Sequence, residues 1–471
     1  MNLPYNPSNL DSIIEYAKKL TDRTLRAVCD ENIINHNYSG KGNFGQILEK
    51  YYFLYQPNSE SEPDFSQVGL ELKSSPLKQL RNNDYRSKER LVLNIINYME
   101  VINQEFETSS FWKKNANLLL VFYLHQSDTN ILDYLIKLVD TWSFPKTDLE
   151  IIKKDWLIIK QKILDGKAHE ISEGDTYYLA ACTKGANANS TRKQPNNDTP
   201  AKQRAYSLKQ GYVNHIIASI ANDTSNTYGK LIPTSEIAKL ETIESIVLAK
   251  FEPLIGKTDK ELIKQFDLEA INPNIKNYHA RISKEIVKSV FNVPSNMTIE
   301  NYIEEFNKAE IIVKTIRLKE NGLPKEDISF PNFKFEEIVN EEWDDSSIKA
   351  TLTQKFLFVF FQYEGDKLVL RKVKFWNMPF ADIQEVEKVW AQTKSIIANG
   401  DIVKKVINGV RYTNFPNKKI NHVSHVRPHA TKASDTYPLP IQDRITNLNE
   451  YTKHCFWLNN SYVRDNIFNT I

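Results

Sequence analysis

The sequence predicts an α/β fold in which a mixed sheet flanked by helices occurs twice along one chain. Three observations carry that expectation. Trp142, Pro145, Trp156 and Gly166 return as Trp376, Pro379, Trp390 and Gly400, each 234 positions later, in a chain with only seven tryptophans. A period this long is a domain duplication and not a solenoid repeat. Segments with apolar residues at helical spacing alternate with short runs rich in β-branched and aromatic residues. Finally, 471 residues leave room for more than one hydrophobic core.

Taken in order, residues 11–28 and 43–54 have helical spacing, and β-type runs occupy 68–72, 90–96 and 118–123. Residues 147–164 form an amphipathic helix through Leu149, Ile152, Trp156, Ile159 and Ile163. Residues 183–204 read as a polar loop with five Lys/Arg against one Asp, a local basic patch. In the second half, 311–316, 356–362 and 368–375 repeat the β-type runs, and Phe456-Trp457-Leu458 echoes Tyr206-Ser207-Leu208. The polar, turn-rich stretch 221–229 marks the join. The expected division is therefore 1–220, a linker over 221–239, and 240–471.

Composition excludes several classes. With 41% hydrophobic, 11% aromatic and 25% charged residues, the chain is neither disordered nor collagen-like. No apolar run reaches the 18 or so residues of a membrane span, and residues 1–11 lack the features of a signal peptide. Cys29, Cys182 and Cys455 are scattered without CxxC spacing, as in a reducing cytosol; a cytoplasmic location without membrane association is expected. The 61 basic and 59 acidic side chains nearly cancel, so any nucleic-acid footprint must be local.

The chemistry-bearing stretch is Pro63-Asp64, then Glu71-Leu72-Lys73. In a strand, alternation puts Glu71 and Lys73 on one face and Leu70 and Leu72 on the other. Carboxylate oxygens suit Mg²⁺, and Glu49, after a helical Gln46-Ile47-Leu48, is placed to complete the shell. A lysine beside such an ion can orient water or stabilise a pentavalent phosphorus transition state. The plain alternative is a solvated Asp64 beside an ordinary Glu71/Lys73 charge pair.

Pro-Asp, six residues, then Glu-x-Lys is the signature of the PD-(D/E)xK nucleases. Around it, Gly45 to Glu49, Asp64-Phe65, Gly69 to Lys73, Asp155-Trp156, Gly166, Tyr178-Leu179 and Lys184 to Ala188 resemble the segments of MutH, the mismatch-repair nicking enzyme. With a second MutH-like half, and with residues 87–98, 106–111, 166–170, 182–188 and 425–429, the whole chain resembles the Sau-type restriction endonucleases that cut at GATC. That resemblance implies a MutH-like PD-(D/E)xK core present twice, and Mg²⁺-dependent cleavage of both strands 5′ of the G in GATC. It also implies metal ligands Glu49, Asp64 and Glu71, and catalytic lysines Lys73 and Lys114. Implied partners are double-stranded DNA with two GATC sites, a second copy of the chain on DNA, and a GATC-protecting methyltransferase. Two other readings share the motifs: a mismatch-repair nicking enzyme and a non-catalytic reader of GATC or its methylation.

Aligning Lys73 with Lys314 sets Asp64 against Glu305, Glu71 against Ile312, Glu49 near Val287 and Lys114 near Leu352. The second half is then expected to lack the metal shell and to bind a further GATC site as effector. Where MutH carries Arg-Pro-Lys in its DNA-reading loop, the first half has Cys182-Thr183-Lys184 and the second Arg427-Pro428-His429. Thr183, Lys184, Arg427, Pro428, His429 and Trp457 are thus candidates for DNA contact, and Arg192, Lys193, Lys202, Arg204 and Lys209 for phosphates. His422, His425 and His429 do not have the spacing of a zinc finger.

Overall fold

A computed structural model of the chain describes residues 3–29, 43–56, 61–81, 84–185, 190–221, 228–231 and 242–470. It divides into two compact units: Met1–Ala238 together with Glu304–Glu310, and Lys239–Ile303 together with Ile311–Ile471. Most of the expected 221–239 linker, and Ala186 to Asn189 of the expected reading loop, lie outside the described residues.

In the first unit the strands are β1 Glu71–Gln79, β2 Tyr85–Ser87, β3 Leu91–Ile95, β4 Asn117–Leu124, β5 Ile136–Ser143, β6 Leu179–Thr183, β7 Thr191–Gln194, β8 Asn197–Lys202 and β9 Arg204–Leu208. The main sheet has the order β2-β1-β4-β5. Strand β1 runs parallel to β4, with Glu71 opposite Leu118 and Lys73 opposite Leu120, and β5 is antiparallel to β4. Five consecutive residues of β4, Leu118 to Phe122, are buried. Such a continuous apolar run marks a central strand covered on both faces.

Helices α1 Leu10–Lys18 and α2 Asn43–Ile47 contribute to a core of Ile13, Ala17, Ile47, Leu48 and Tyr52 against Leu70, Leu72, Leu119 and Val121. The next helices are α3 Ser110–Asn115, α4 Lys146–Leu164 and α5 Gln210–Ile220. Strands β3, β9 and β6 form a second sheet. Its end is fixed by Asp155 on α4, whose carboxylate accepts from the backbone N–H of Tyr177, Tyr178 and Leu179 at 2.8, 2.7 and 2.9 Å.

Three expectations need correction. The 11–28 helix stops at Lys18, because Asp22 takes a left-handed φ of 57° and Thr24 caps a separate turn, Leu25–Val28. The 68–72 strand starts only at Glu71, since Gly69 turns the chain with φ of 64°. The described part of 183–204 is not a loop from residue 191 on: β7 and β8 pair as a hairpin around Pro195 and Asn196, the latter at φ 58°. Proline and a left-handed Asn are turn chemistry between two polar, exposed strands, which lack the apolar alternation that reveals a strand.

The second unit contains β10 Ile312–Leu318, β11 Ile328–Phe333, β12 Phe356–Glu364, β13 Lys367–Trp376, β14 Val403–Ile407, β15 Val410–Thr413, β16 Ser424–Pro428, β17 Thr436–Pro438, β18 Glu450–Thr452 and β19 His454–Leu458. Its main sheet is β10-β12-β13, again with a parallel first pair and an antiparallel second. Helices α6 Tyr278–Val290, α7 Ser347–Leu352 and α8 Phe380–Ala398 accompany it, and β11-β19-β16 forms a further sheet.

Helices α4 and α8 are built alike. Each has 19 residues, follows a proline N-cap, and takes a tyrosine hydroxyl on an aspartate of its first turn. Those bonds are Tyr212 to Asp148 at 2.9 Å and Tyr462 to Asp382 at 2.6 Å. No helix among the described residues is long and apolar enough to cross a membrane.

Candidate active site

The six residues between Asp64 and Glu71 close on themselves. Phe65 and Leu70 exchange backbone hydrogen bonds of 2.9 and 3.3 Å, with Gly69 supplying the positive φ. This turn lays Asp64 beside the first residue of β1. The backbone N–H of Asp64 donates to Glu71 Oε2 at 3.1 Å, and that of Leu72 donates to Asp64 Oδ2 at 3.0 Å. Each carboxylate is thus fixed by backbone next to the other. Strand alternation does the rest: Lys73 Nζ lies 2.6 Å from Glu71 Oε1, while Leu72 enters the core.

Two further side chains reach this point. Lys114, on α3 behind the Ser109 N-cap, donates to the Glu62 carbonyl at 3.1 Å and stands 3.7 Å from Glu71 Oε1. Glu49 lies on the π-helical turn Leu48–Tyr52 that continues α2. Gly45 allows that approach, since a Cβ there would come within 3.3 Å of Ser74 Oγ on β1. Burial, reinforced by the charge of Asp64, pushes the Glu49 carboxyl up to about 7. Burial also raises Glu71, with Lys73 opposing and Asp64 adding to the shift. All five expected catalytic residues therefore share one neighbourhood.

The donor chemistry fits a hard divalent cation, because beyond burial the charge of Asp64 raises the proton affinity of both Glu49 and Glu71, and a doubly charged ion would relieve that repulsion. The expected metal shell is nevertheless not closed as arranged. Glu71 Oε1 is turned to Lys73, and among the described residues no group of three or more His, Cys, Asp or Glu side chains surrounds a single point. Sequence reasoning passed over Tyr55. Its hydroxyl is buried without a hydrogen-bond partner among the described residues, and burial first, then the charges of Asp64, Glu49 and Glu71, raise its proton affinity. Only its position six residues after Glu49 hinted at it.

In the second unit, Lys314 on β10 lies opposite Phe358 in a parallel register like that of Lys73 and Leu120, and Ile312 occupies the place of Glu71. The counterpart of Asp64 is Glu300 and not Glu305. Glu300 accepts from the N–H of Val313 at 3.0 Å, as Asp64 does from Leu72. Glu305 instead accepts from the N–H of Leu231 and belongs to the first unit. The longer insertion between Glu300 and Lys314 hid this match. Val287 is buried in the core, so it does not stand in for Glu49; Lys284, one turn earlier, acts electrostatically on Lys314. The shared serine N-caps, Ser109 and Ser346, place Thr351 opposite Lys114, one residue from the expected Leu352.

Of the expected DNA contacts in the first unit, Thr183, Lys184, Arg192 and Lys193 are exposed. Lys209 is a correction: it is buried, and its ammonium donates to the carbonyls of Thr176 and Ala309 at 2.8 and 3.3 Å. A lysine so used cannot reach a phosphate, and its role is to seat α5. Arg204 likewise donates to the Ala181 carbonyl at 2.8 Å. In the second unit Arg427, Trp457 and His429 come together. The Arg427 guanidinium lies 3.8 Å over the Trp457 ring and 3.3 Å from Asp327 Oδ2. The His429 ring meets Trp457 at 5.2 Å and Asn332 at 3.0 Å, and Pro428 is exposed between them. His425 is buried on Asn459 at 2.6 Å, and His422 is exposed.

The family model described as DNA mismatch repair enzyme MutH matches residues 53–155 and again 297–389. The type II restriction enzyme Sau3AI of Staphylococcus aureus is 38% identical over 91% of this chain and 92% of its own length. The DNA mismatch repair protein MutH of Shewanella woodyi is 24% identical over 46% of this chain and 95% of its own length. That of Vibrio parahaemolyticus is 24% identical over 45% and 94%.

Proposed function

This chain belongs to the family of the type II restriction enzyme Sau3AI and is a site-specific DNA nuclease with a MutH-like domain; from that premise we propose that it cuts both strands of duplex DNA 5′ of the G in GATC, with Mg²⁺ as cofactor. The observation that carries the reading is the convergence of Glu49, Asp64, Glu71, Lys73 and Lys114 on one end of β1. Glu49, Asp64 and Glu71 would hold the ion, which when bound makes water a better nucleophile and neutralises phosphate charge.

The chain's own groups do the remaining work. Lys73, 2.6 Å from Glu71 Oε1, is placed to orient the attacking water and to stabilise charge developing on the scissile phosphate. Lys114 is anchored to the Glu62 carbonyl and adds a second positive charge near Glu71 Oε1. Thr183, Lys184 and Arg192 are exposed, and in this reading they contact the DNA groove and backbone. The second unit, with Ile312 where a carboxylate is needed, serves as a non-cutting second copy that binds a further GATC site as effector. Arg427, carried on Trp457, is its guanine-reading side chain. A methyltransferase protecting GATC is the implied functional counterpart.

Purified protein with Mg²⁺ and a supercoiled plasmid bearing GATC tests the reading. Linear fragments ending in 5′-GATC are the expected product. Persistent nicked circles would indicate a repair-type nickase, and untouched plasmid a reader of the site.

A further inference from the structure

Where the first unit gathers carboxylates, the matching cleft of the second gathers lysines. A cavity of about 680 Å³ runs along α6 and β10, and Lys284, Lys314, Arg317 and Lys325 line it. Its acids are already engaged. Glu285 lies 3.6 Å from Lys288 and Glu326 3.5 Å from Arg317, while Glu300 accepts from the Val313 N–H. Asp327 is met by Lys418 at 2.6 Å and Arg427 at 3.3 Å. Lys284 and Lys314, by contrast, form no ion pair among the described residues. Burial pushes the Lys314 ammonium below its ordinary value, with Glu300 opposing and Lys284 adding to the shift. The cleft thus holds two ammonium groups outside any ion pair among the described residues, on two elements facing one space, with Glu300 offsetting part of the charge of Lys314.

A divalent ion has no reason to enter it. The ligand position of Glu71 is filled by Ile312, and two ammonium groups repel a dication. An anion has every reason to enter. The cations are strung along an open trough much larger than a single phosphate, which suits an extended polyanion. We propose that this cleft is a phosphodiester-binding site that takes the backbone of duplex DNA without any divalent cation, Lys284 and Lys314 supplying the charge that the ion supplies in the cutting cleft. The proposal rests on the reading of the second unit as DNA-binding and deepens it: it places the backbone, and explains why DNA held there stays whole.

The test uses the full chain in EDTA, where no cutting occurs, with a short labelled GATC duplex titrated at several salt concentrations. Replacing both lysines, Lys284→Ala with Lys314→Ala, should weaken binding about tenfold or more and flatten the slope of log affinity against log salt by about 2, one unit per lost phosphate contact. Lys284→Arg with Lys314→Arg keeps both charges and should bind within a few-fold of the parent, which separates lost contact from lost fold. Unchanged affinity and slope in the alanine pair would overturn the proposal. If Arg427→Ala still weakened binding in that case, the second unit would remain a DNA-binding unit with its backbone track elsewhere. If neither change mattered, the DNA reading of the unit would fall as well. Calorimetry with inorganic phosphate alone covers the small-anion case: lysine-dependent heat, together with unaltered duplex affinity, would also overturn the proposal.

Discussion

Glu71 is held at both oxygens: Lys73 and Lys114 lie against Oε1, the Asp64 N–H donates to Oε2, and the turn before β1 places the residue at the head of the strand. Glu71→Ala should lower plasmid cleavage by more than about a hundredfold while GATC duplex binding, measured by filter retention, stays within a few-fold. Cleavage near the parent rate would place the chemistry elsewhere. Glu49 adds a pH dependence of definite sign. Its carboxyl keeps its proton up to about 7, against an ordinary 4.5. The metal-free chain therefore loses this group's stabilising contribution as pH rises from 4.5 towards about 7. Metal loading must expel the same proton, so Mg²⁺ affinity should climb with pH and level off above about 7. The Mg²⁺-induced rise in Tm should accordingly be larger at high pH than at low, and Glu49→Gln should remove that difference.

Among the elements, α4 and the small hairpin depend on one glycine. Gly166 ends the helix region at φ 70°, and a Cβ there would lie 2.8 Å from the Asn196 carbonyl at the tip of β7 and β8. Gly400 repeats the arrangement after α8, 2.7 Å from the Gln442 carbonyl. Gly166→Ala meets both a left-handed backbone and a backbone clash, and should cost about 1–3 kcal/mol in chemical denaturation. It should also loosen the exposed Arg192 strand, seen as faster amide exchange over 191–202. The short helix Glu304–Ala309 depends on charge instead. Lys308, almost wholly buried, lies 2.9 Å from Asp148 and 2.7 Å from Glu304. Lys308→Ala leaves Asp148 buried without its cation and should destabilise the first unit by about 3–5 kcal/mol; a loss below 1 kcal/mol would mean that water replaces the ammonium.

For the whole molecule, the proposed division of labour makes DNA with two GATC sites a better substrate than DNA with one. Tethering raises the local concentration of the second site without any new contact. A short GATC duplex added in trans should then speed cutting of one-site DNA, since coupling is a binding free energy that either source supplies. Arg427→Ala should weaken that stimulation, raising the duplex concentration needed by the equivalent of about 1–3 kcal/mol. Equal cutting of one-site and two-site plasmids, with no response to added duplex, would leave the second unit a structural partner only.

The local chemistry was legible because it depends on short-range periodicity and spacing. Glu71 and Lys73 share a face by strand alternation, and Leu118 to Phe122 announce a central strand by composition alone. Trp156 and Trp390 mark two helices of equal length for the same reason. Tertiary structure decided whatever depended on which distant groups meet. Lys209 looked like a phosphate contact until the carbonyls of Thr176 and Ala309 closed over it. Glu305 looked like the partner of Asp64 until Glu300, across a longer insertion, took the Val313 N–H. Lys114 gained a place beside Glu71 only when α3 packed against the turn at Glu62. A sequence states what a side chain can do; burial and backbone partners, set by residues far along the chain, determine which of those capacities remains free.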